Sequence, residues 1–426
     1  MSLTSVLKKQ FSEGAHDALL KDIYVDESKL DYVKKRYLDA LQNFEDLFGE
    51  AEVSIFSAPG RSEIGGNHTD HQHGEVLAAS INKDCIAVVE KTDEPKVQFV
   101  SGGYSLITVS TEDLEQRDSE KESTFSLVKG VLAGVKNRGY HIGGFRAYIT
   151  SDVLIGAGLS SSAAFETLIG TILSGLYNDM KISPVEIAII GQYAENVYFG
   201  KPCGLMDQMA SSVGSLVHID FYNPKAPIVE KVEFDFDHEG YSLCITDTKG
   251  SHADLTSEYA AVPAEMKAVA AQFGKEVLRE VSLEEILASA AKIREELGDR
   301  AFLRALHFQA ENKRVENQVA ALKENRMEDF LKLIKASGDS SYKYLQNVYT
   351  NQDIQHQNVS VALAVSDLLL GAAGVSRVHG GGFAGTIQAF VRNEAVADYK
   401  AGMDSIFGEG ACDVLKVRKY GGMKVL

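Results

Sequence analysis

The hydrophobic positions of this 426-residue chain form short strand-like runs in the first half and long helical patterns in the second. In the first half, apolar runs typical of strands lie at 53–57, 85–90, 145–150 and 216–221, and apolar residues with helical spacing lie at 125–137, 161–178 and 184–199. The second half opens with a strand at 242–247, and helices are then predicted at 254–273, 282–297, 302–324, 327–337 and 353–371. A strand at 386–391 and a helix at 394–407 follow.

This order of elements predicts an α+β fold, because the strands do not alternate regularly with the helices. A chain of 426 residues is also longer than a single hydrophobic core usually grows, so we expect two domains. The segment FYNPKAP carries two of the seven prolines and indicates the boundary. The predicted domains are residues 1–225 and 226–426.

The charge balance limits the possible partners. The chain has 43 Lys and Arg against 60 Asp and Glu, a net charge of −17, and no basic block. This balance argues against binding to nucleic acid or to an anionic membrane. The four cysteines form no CxxC pair, the first residues contain no signal-peptide core, and no apolar run approaches the roughly 20 residues of a membrane span. We therefore expect a cytoplasmic protein with reduced thiols, as a monomer or small homo-oligomer.

The segment DVLIGAGLSSSAAFE, residues 152–166, indicates a phosphate-binding loop. A strand-like run ends near Asp152, a Gly-x-Gly turn follows, and three serines open an apolar helical pattern. The unpaired N–H groups and positive dipole end of a helix N-terminus attract anions, and glycines let the backbone approach a phosphate closely. The alternative is an ordinary serine N-cap after a turn. No GxxxxGK[ST] motif occurs, so the loop is not of the Walker type.

Two further glycine-rich segments carry candidate chemistry. GGNHTDHQHG, residues 65–74, places His68, Asp70, His71 and His73 close together, which are suitable ligand types for zinc. Their crowding on one short loop argues against a tetrahedral site, because consecutive side chains point in different directions. HGGG, residues 379–382, has more consecutive glycines than a turn needs, and this favours close backbone approach to a ligand.

Three segments resemble, in order and spacing, the three motifs of the GHMP small-molecule kinases: APGRSEIGGNHTDHQHGEVLAASI, GAGLSSSAAFE and HGGGFAGT. The first is similar to the galactokinase signature GRxNxIGEHTDYxxGxVLPxA, and CGLMDQMAS and SEYAAVP are similar to further galactokinase segments. The resemblance runs from about residue 50 to 391. It implies an N-terminal domain like the second domain of ribosomal protein S5, a ferredoxin-like C-terminal domain, and an active site between them.

The resemblance implies a role for each matching residue, with a small sugar and ATP as substrates and Mg²⁺ as cofactor. Asp207 matches the carboxylate that faces the sugar hydroxyl to be phosphorylated, and Arg61 matches the cation that keeps it ionised. Ser162 and Glu195 match the Mg²⁺ ligands. The residues implied to surround the ATP phosphates are Gly156, Gly158, Ser160, Ser161, Ser162, Gly380, Gly381 and Gly382. Those implied to hold the sugar are Asn67, His68, Asp70, Gly204 and Tyr259.

Three departures from the signature bear on the substrate. Glu63 replaces its asparagine, His71 replaces its tyrosine, and Asn67 replaces the glutamate that contacts the sugar near C6. An amide in place of a carboxylate keeps hydrogen-bonding capacity but removes a negative charge, so a C6 carboxylate would be repelled less. HTDHQHG is also closer to the HxDHQGG pattern of galacturonokinase-type members than to HTDYxxG.

Three hypotheses follow. We favour an ATP-dependent galactokinase that phosphorylates the anomeric hydroxyl of galactose. The second is a sugar-1-kinase for a hexuronate such as galacturonate, and the third is a non-catalytic protein that senses sugar and ATP. The presence of Ser160 to Ala163, Glu195 and Asp207 argues against a sensor. If the charge at residue 67 decides the sugar, the substitution Asn67→Glu should strengthen selectivity for galactose.

Overall fold

The computed structural model describes residues 1–153, 158–251 and 255–426. Its strands are β1 (Ser2–Leu3), β2 (Glu52–Gly65), β3 (Glu75–Thr92), β4 (Lys96–Ser101), β5 (Ile107–Ser110), β6 (Gly144–Ser151), β7 (Leu216–Asp220), β8 (Ile228–Val232), β9 (Tyr241–Asp247), β10 (Gly374–His379), β11 (Thr386–Arg392), β12 (Cys412–Leu415) and β13 (Met423–Lys424). Its α-helices are α1 (Thr4–Ser12), α2 (Asp17–Tyr24), α3 (Leu30–Phe48), α4 (Thr124–Asn137), α5 (Ser161–Tyr177), α6 (Pro184–Tyr193), α7 (Met206–Val213), α8 (Thr256–Ala271), α9 (Leu283–Ala288), α10 (Ala290–Leu297), α11 (Asp299–Lys323), α12 (Met327–Ser340), α13 (Asn358–Leu370) and α14 (Val396–Phe407).

Each strand and helix predicted from the hydrophobic pattern has a counterpart, and the α+β class is confirmed. Two predicted helices differ in their interior. The helix predicted at 184–199 continues after α6 as a π-helical turn, Ala194–Phe199, and the helix predicted at 282–297 is interrupted at Ser289. The pattern predicts no element before residue 53, where the structure has three helices.

The first sheet has nine strands, and its central feature is the long hairpin of β2 and β3. The main strand order is β1-β2-β3-β6-β4-β5, with β13 beside β2, β7 beside β3, and β8 beside β7. The register of the hairpin shifts between Pro59 and Arg61 and again between Glu63 and Gly65. Such irregularities bend a strand and change the direction of its side chains. The hairpin therefore changes direction where the first motif lies, and there β3 pairs with β7, whereas further along it pairs with β6.

Both faces of the sheet are covered at β2 and β3, which explains why these two strands are buried along most of their length. Phe56 and Ala87 belong to a buried cluster that includes Leu168 of α5, whereas Ile55 and Val88 belong to a second cluster that includes Tyr37 of α3. Neighbouring residues of a strand point to opposite faces. The N-terminal helices α1 to α3 therefore cover the face that α5 leaves open.

The second sheet is antiparallel with strand order β10-β11-β9-β12. The boundary predicted at residue 225 falls between β7 and β8, but both strands belong to the first sheet, and β13 returns to that sheet at the end of the chain. Leu243 and Phe390 of the second sheet share one buried cluster with Phe56 of the first. The division into two domains stays a prediction, while the change of sheet lies between β8 and β9.

A buried ion cluster links the N-terminal helices, the first sheet and the C-terminal segment. Asp84 of β3 is fully buried and accepts hydrogen bonds from Arg36 of α3 at 2.6 Å and from Arg418 at 2.8 Å. Tyr24 and Ser57 also donate to its carboxylate. Burial by itself would raise the pKa of Asp84, but the two guanidinium groups outweigh it and hold the pKa below the ordinary value of 3.8.

We expect Asp84→Asn to destabilise the fold by about 3–5 kcal/mol, because it leaves two buried guanidinium groups facing a neutral amide. Urea unfolding followed by circular dichroism measures this change. Because the pKa of Asp84 is lowered in the folded state, its contribution to stability is present at pH values above 3.8 and is lost as the pH falls through the folded-state value, so the difference in stability between Asp84→Asn and the unsubstituted protein should shrink in acid. As a control, Asp113→Asn removes an exposed partner of Arg117 and should leave the urea midpoint unchanged. Equal effects of the two substitutions would contradict the assignment.

Candidate active site

Four segments meet where the two sheets approach each other: the turn between β2 and β3, the loop before α5, the start of α7, and the glycine stretch between β10 and β11. We call residues 66–74 the first turn and residues 380–382 the third glycine stretch. Side-chain hydrogen bonds join the first turn to the third glycine stretch. The three motifs of the sequence are thus brought into one cleft.

The ion pair between Arg61 and Asp207 lies at the centre of this cleft. Arg61 Nε and Nη2 donate to the two carboxylate oxygens of Asp207 at 2.6 and 2.9 Å, while Nη1 donates to the carbonyl of Gly158 at 2.7 Å. Burial would raise the pKa of Asp207, but Arg61 outweighs burial and lowers this pKa below 3.8. The Arg61 side chain is 8% exposed and that of Asp207 is 35% exposed, so the carboxylate is the member that a ligand can reach.

The loop before α5 contributes to the same group. Ser160 has φ 58° and ψ 61°, a left-handed conformation that is uncommon for serine and is often found at functional sites. Its hydroxyl donates to Asp207 and does not cap the helix, so the simple N-cap interpretation is wrong for Ser160. Helix α5 begins with Ser161 and Ser162. Gly156 lies outside the described residues, and Gly158 has φ 66°.

Ser162 and Glu195, which were predicted as Mg²⁺ ligands, lie close to each other. Ser162 Oγ lies 3.4 Å from Glu195 Oε1, and Glu195 is carried by the π-helical turn Ala194–Phe199. Such turns recur at functional sites. Gln208 donates to Glu195 at 2.9 Å and to Glu166 at 3.1 Å, and thereby holds both carboxylates. Among the described parts of the chain no group of three or more His, Cys, Asp or Glu side chains is arranged to hold a metal.

Glu166 is a buried carboxyl group that the sequence analysis did not single out. Burial, followed by the neighbouring charge of Glu195, raises the pKa of Glu166 well above 4.5. Lys201 was also not predicted, although its Nζ lies 3.5 Å from Glu195 and its charge helps to lower the pKa of Asp207. In the sequence, Glu166 could have been recognised as a candidate because it is the only charged residue in the apolar run SAAFETLIG.

Asp70 and Gly204 of the predicted sugar side are in direct contact. A Cβ atom added to Gly204 would overlap Oδ2 of Asp70, so only glycine leaves room for this carboxylate. His68 has φ 61° and donates from Nε2 to the carbonyl of Gly381 at 3.0 Å. Burial lowers the pKa of His68 to about 4, so its ring is neutral at neutral pH. The side chains of the first turn thus diverge to different partners.

Asn67, in contrast, is completely buried. Its amide group contacts Glu63 and Gly380 through nitrogen and Ser341 and Asn347 through oxygen. The prediction that Asn67 binds the sugar remains untested, but the amide has no unoccupied hydrogen-bonding position in this arrangement.

The carbonyl groups of the third glycine stretch face the first turn and α8. Asn67 donates to the carbonyl of Gly380 at 2.7 Å, and Tyr259 donates to that of Gly382 at 2.7 Å. Burial raises the pKa of Tyr259 to about 12, so its hydroxyl keeps the proton that it donates. In a trans peptide the N–H points away from the preceding carbonyl. The N–H groups of Gly381 and of Gly382 are therefore directed to the opposite side of the stretch.

Helix α11 supports the first turn with polar side chains that were not predicted. His307 bonds to the carbonyl of Asn67 at 3.0 Å, Glu311 accepts from the N–H of Gly66 at 3.2 Å, and Asn312 accepts from the N–H of Glu75 at 2.8 Å. A polar stripe with helical spacing inside an otherwise apolar face, His307, Glu311, Arg314 and Gln318, was the available signal.

The family described as "Galactokinase galactose-binding signature" matches residues 42–91, and "GHMP kinases N terminal domain" matches residues 126–215. A galactokinase of Glaesserella parasuis is 33% identical over 357 residues, which are 83% of this chain and 89% of the relative. The chain belongs to the galactokinase family. A galactokinase of Streptomyces coelicolor is 29% identical over 86% of this chain and 89% of its own length. This galactokinase-family chain is accordingly a phosphotransferase with an alcohol group as acceptor.

Solved structures agree with this assignment. The structure of Lactococcus lactis galactokinase complexed with galactose has a TM-score of 0.76 and 26% identity, with 90% of this chain and 98% of that chain covered. A mevalonate kinase structure has a TM-score of 0.61 at 15% identity over 86% of this galactokinase-family chain and 99% of its own, which shows the shared GHMP kinase fold. Across residues 1–153, 158–251 and 255–426, every helix is too short or too polar to cross a membrane.

We expect Gly204→Ala to lower kcat/KM for the sugar by roughly 100-fold, because the new methyl group displaces Asp70. Coupled measurement of ADP release against sugar concentration tests this. Gly102→Ala is the matched control, since its added methyl group lies 3.5 Å from the nearest atom, Tyr148 Oη, and should leave turnover unchanged. If Gly204→Ala has the same kcat/KM as the unsubstituted enzyme, the position of Asp70 is not required for turnover of the sugar.

Proposed function

We propose that the protein transfers the γ-phosphoryl group of ATP to the anomeric hydroxyl of galactose. The observation that carries this proposal is the Arg61–Asp207 pair, with its carboxylate exposed beside the loop that opens α5. A general base must be ionised and must lie within hydrogen-bond reach of the hydroxyl whose proton it accepts. The galactokinases that share about 30% of its sequence, and the galactokinase structure solved with galactose, support the choice of sugar.

Phosphoryl transfer requires alignment of the two substrates and neutralisation of charge. We assign Asp207 to the sugar hydroxyl, whose proton it accepts or orients. Arg61 keeps Asp207 ionised and ties it to Gly158 in the phosphate loop. Ser160 fixes the second carboxylate oxygen of Asp207. The base is thus held at the junction between the sugar side and the phosphate side.

The sugar would lie between the first turn and α8, held by His68, Asp70, Gly204 and Tyr259. Asn67 would support this site through its hydrogen bonds to protein groups. The ATP phosphates would lie at the start of α5, beside Gly158, Ser160, Ser161 and Ser162, with Gly380, Gly381 and Gly382 opposite. Unpaired N–H groups at a helix start attract phosphate. The orientation of the peptides in the third glycine stretch also supports phosphate binding. Its carbonyl groups face the first turn and α8, so the N–H groups of Gly381 and Gly382 point to the opposite side and could donate to phosphate oxygens.

The donor set at Ser162 and Glu195 fits Mg²⁺. This ion takes oxygen ligands and usually binds through one or two protein groups, with substrate phosphates and water completing its octahedron. The hydroxyl of Ser162 and the carboxylate of Glu195 are such groups, and Gln208 orients the carboxylate. When bound, Mg²⁺ would neutralise phosphate charge. The protein supplies the two oxygens and their fixed separation.

We also propose a cytoplasmic location, since the four cysteines are free thiols. The oligomeric state, monomer or small homo-oligomer, stays a prediction.

The decisive experiment compares kcat/KM with galactose, galacturonate, glucose and N-acetylgalactosamine at saturating ATP and Mg²⁺. We expect galactose to be preferred and the product to carry phosphate on the anomeric oxygen, as phosphorus NMR would detect. A preference for galacturonate above about tenfold would overturn galactose as the substrate. The absence of turnover with each sugar, together with tight sugar binding, would favour a sensor.

A pH series tests the assignment of Asp207 and Arg61. Because the pKa of Asp207 is held below 3.8, protonation of this group should not reduce kcat/KM between about pH 5 and 8. Arg61→Met removes the cation, so the pKa of Asp207 should rise and an acid limb should enter this range, with kcat reduced by roughly 100-fold or more. Arg61→Lys keeps the charge without the paired hydrogen bonds and should give a smaller shift. An unchanged acid limb in Arg61→Met would contradict the assignment.

A further inference from the structure

Glu63 and Asn67 are four residues apart, and both are buried. The amide nitrogen of Asn67 donates to Glu63 Oε1 at 3.1 Å and to the carbonyl of Gly380 at 2.7 Å. The amide oxygen accepts from Ser341 at 3.1 Å and from Asn347 at 2.8 Å. An asparagine side chain has two donor hydrogens and one oxygen with two lone pairs. Protein groups therefore occupy each hydrogen-bonding position of Asn67, and none remains for a sugar hydroxyl.

The carboxylate of Glu63 pairs with the guanidinium of Arg377 in β10. Arg377 is completely buried and also donates to the carbonyls of Ile64 at 3.0 Å and Val378 at 2.8 Å. A buried guanidinium that loses its carboxylate is strongly destabilising. Arg377 therefore requires one carboxylate at this place, and Glu63 supplies it.

The side-chain types at positions 63 and 67 are exchanged relative to the signature GRxNxIGEHTDY, which has asparagine first and glutamate second. In this structure the two side chains touch each other. The exchange therefore keeps one carboxylate and one amide within the same buried space. The carboxyl group that is missing at position 67 is present at position 63, where it pairs with Arg377, so the motif as a whole has not lost a carboxyl group and gives no such reason to prefer a hexuronate.

We propose that Glu63 and Asn67 form one positioning unit that holds the first turn at a fixed distance from the third glycine stretch. Arg377 anchors Glu63 to β10, and Asn67 extends this anchor to Gly380. The inference rests on the proposed sugar-kinase function, because the unit joins the sugar side of the cleft to the phosphate side. It also reverses the expectation for Asn67→Glu, which should damage the enzyme and should not sharpen its choice of sugar.

A double-substitution cycle tests the unit. Glu63→Asn leaves Arg377 without a carboxylate, and Asn67→Glu places two carboxylates beside one guanidinium. Each single substitution should lower kcat/KM for the sugar by about 100-fold, with a larger rise in KM for the sugar than for ATP. The double substitution Glu63→Asn with Asn67→Glu restores one carboxylate and one amide, and should return to within about fivefold of the unsubstituted enzyme. Losses that multiply in the double substitution would overturn the proposal.

Because the single substitutions in this cycle can impair folding, two milder serine variants distinguish an effect on the position of Asn67 from an effect on the stability of the fold. Ser341→Ala removes one hydrogen bond to Asn67 and should raise KM for the sugar about threefold to tenfold while kcat changes less than about twofold. Ser366→Ala is the matched control, because Ser366 is equally buried and loses one hydrogen bond, to Tyr399 at 2.8 Å, away from the cleft. Equal sugar KM values for the two variants would contradict a positioning role.

Thermal unfolding midpoints of the four proteins in the cycle provide a readout that does not depend on turnover. We expect the double substitution to recover most of the midpoint that each single substitution loses, and additive losses would count against the unit. An unsubstituted enzyme without sugar turnover would contradict the proposed function alone. Turnover in the unsubstituted enzyme combined with a cycle that shows no coupling would contradict only this inference.

Discussion

The ion pair between Arg61 and Asp207 is the interaction on which the arrangement of the cleft depends. Its donors and acceptors come from β2, the loop before α5, and α7, which are far apart in sequence. A paired guanidinium and carboxylate impose direction as well as attraction. The register shift of β2 at Arg61 and the left-handed Ser160 both serve this geometry. Removal of the Asp207 carboxylate would leave the guanidinium of Arg61 buried without its partner, which explains why local strain is tolerated here.

Around this pair, the two halves meet through a polar interface. His379 accepts a hydrogen bond from the N–H of Glu63 at 3.2 Å and contacts Thr386 through its other ring nitrogen at 2.9 Å. Burial, followed by the nearby charges of Arg61 and Arg377, lowers the pKa of His379 well below 6.5. A neutral ring is the form that can accept the first bond and donate the second. Buried polar contacts of this kind define one relative position of the halves, which apolar packing alone would not.

The N-terminal helices have a less direct part in the site. By covering the second face of the sheet, α1 to α3 allow β2 and β3 to run as buried strands of 14 and 18 residues. The first turn lies at the end of this hairpin. Its position is therefore set by a rigid support on one side and by α11 on the other, through His307 and Glu311. A side chain held from both directions loses little further freedom when a ligand binds.

The sequence by itself determined the α+β class, most of the helices, six of the thirteen strands in the described part of the chain and the three motifs, because periodicity and glycine spacing are local properties of the chain. It also placed Arg61 and Asp207 among the candidate catalytic residues, through a resemblance. Only the tertiary structure decided that Ser160 donates to Asp207, that α11 holds the first turn, and that Glu63 and Asn67 touch each other. In the sequence, position 67 lacks the carboxyl group of the signature; in the structure, the carboxyl group of Glu63 lies next to Asn67 and pairs with Arg377. Which groups neutralise or saturate one another depends on distances between segments far apart in sequence, and packing sets those distances.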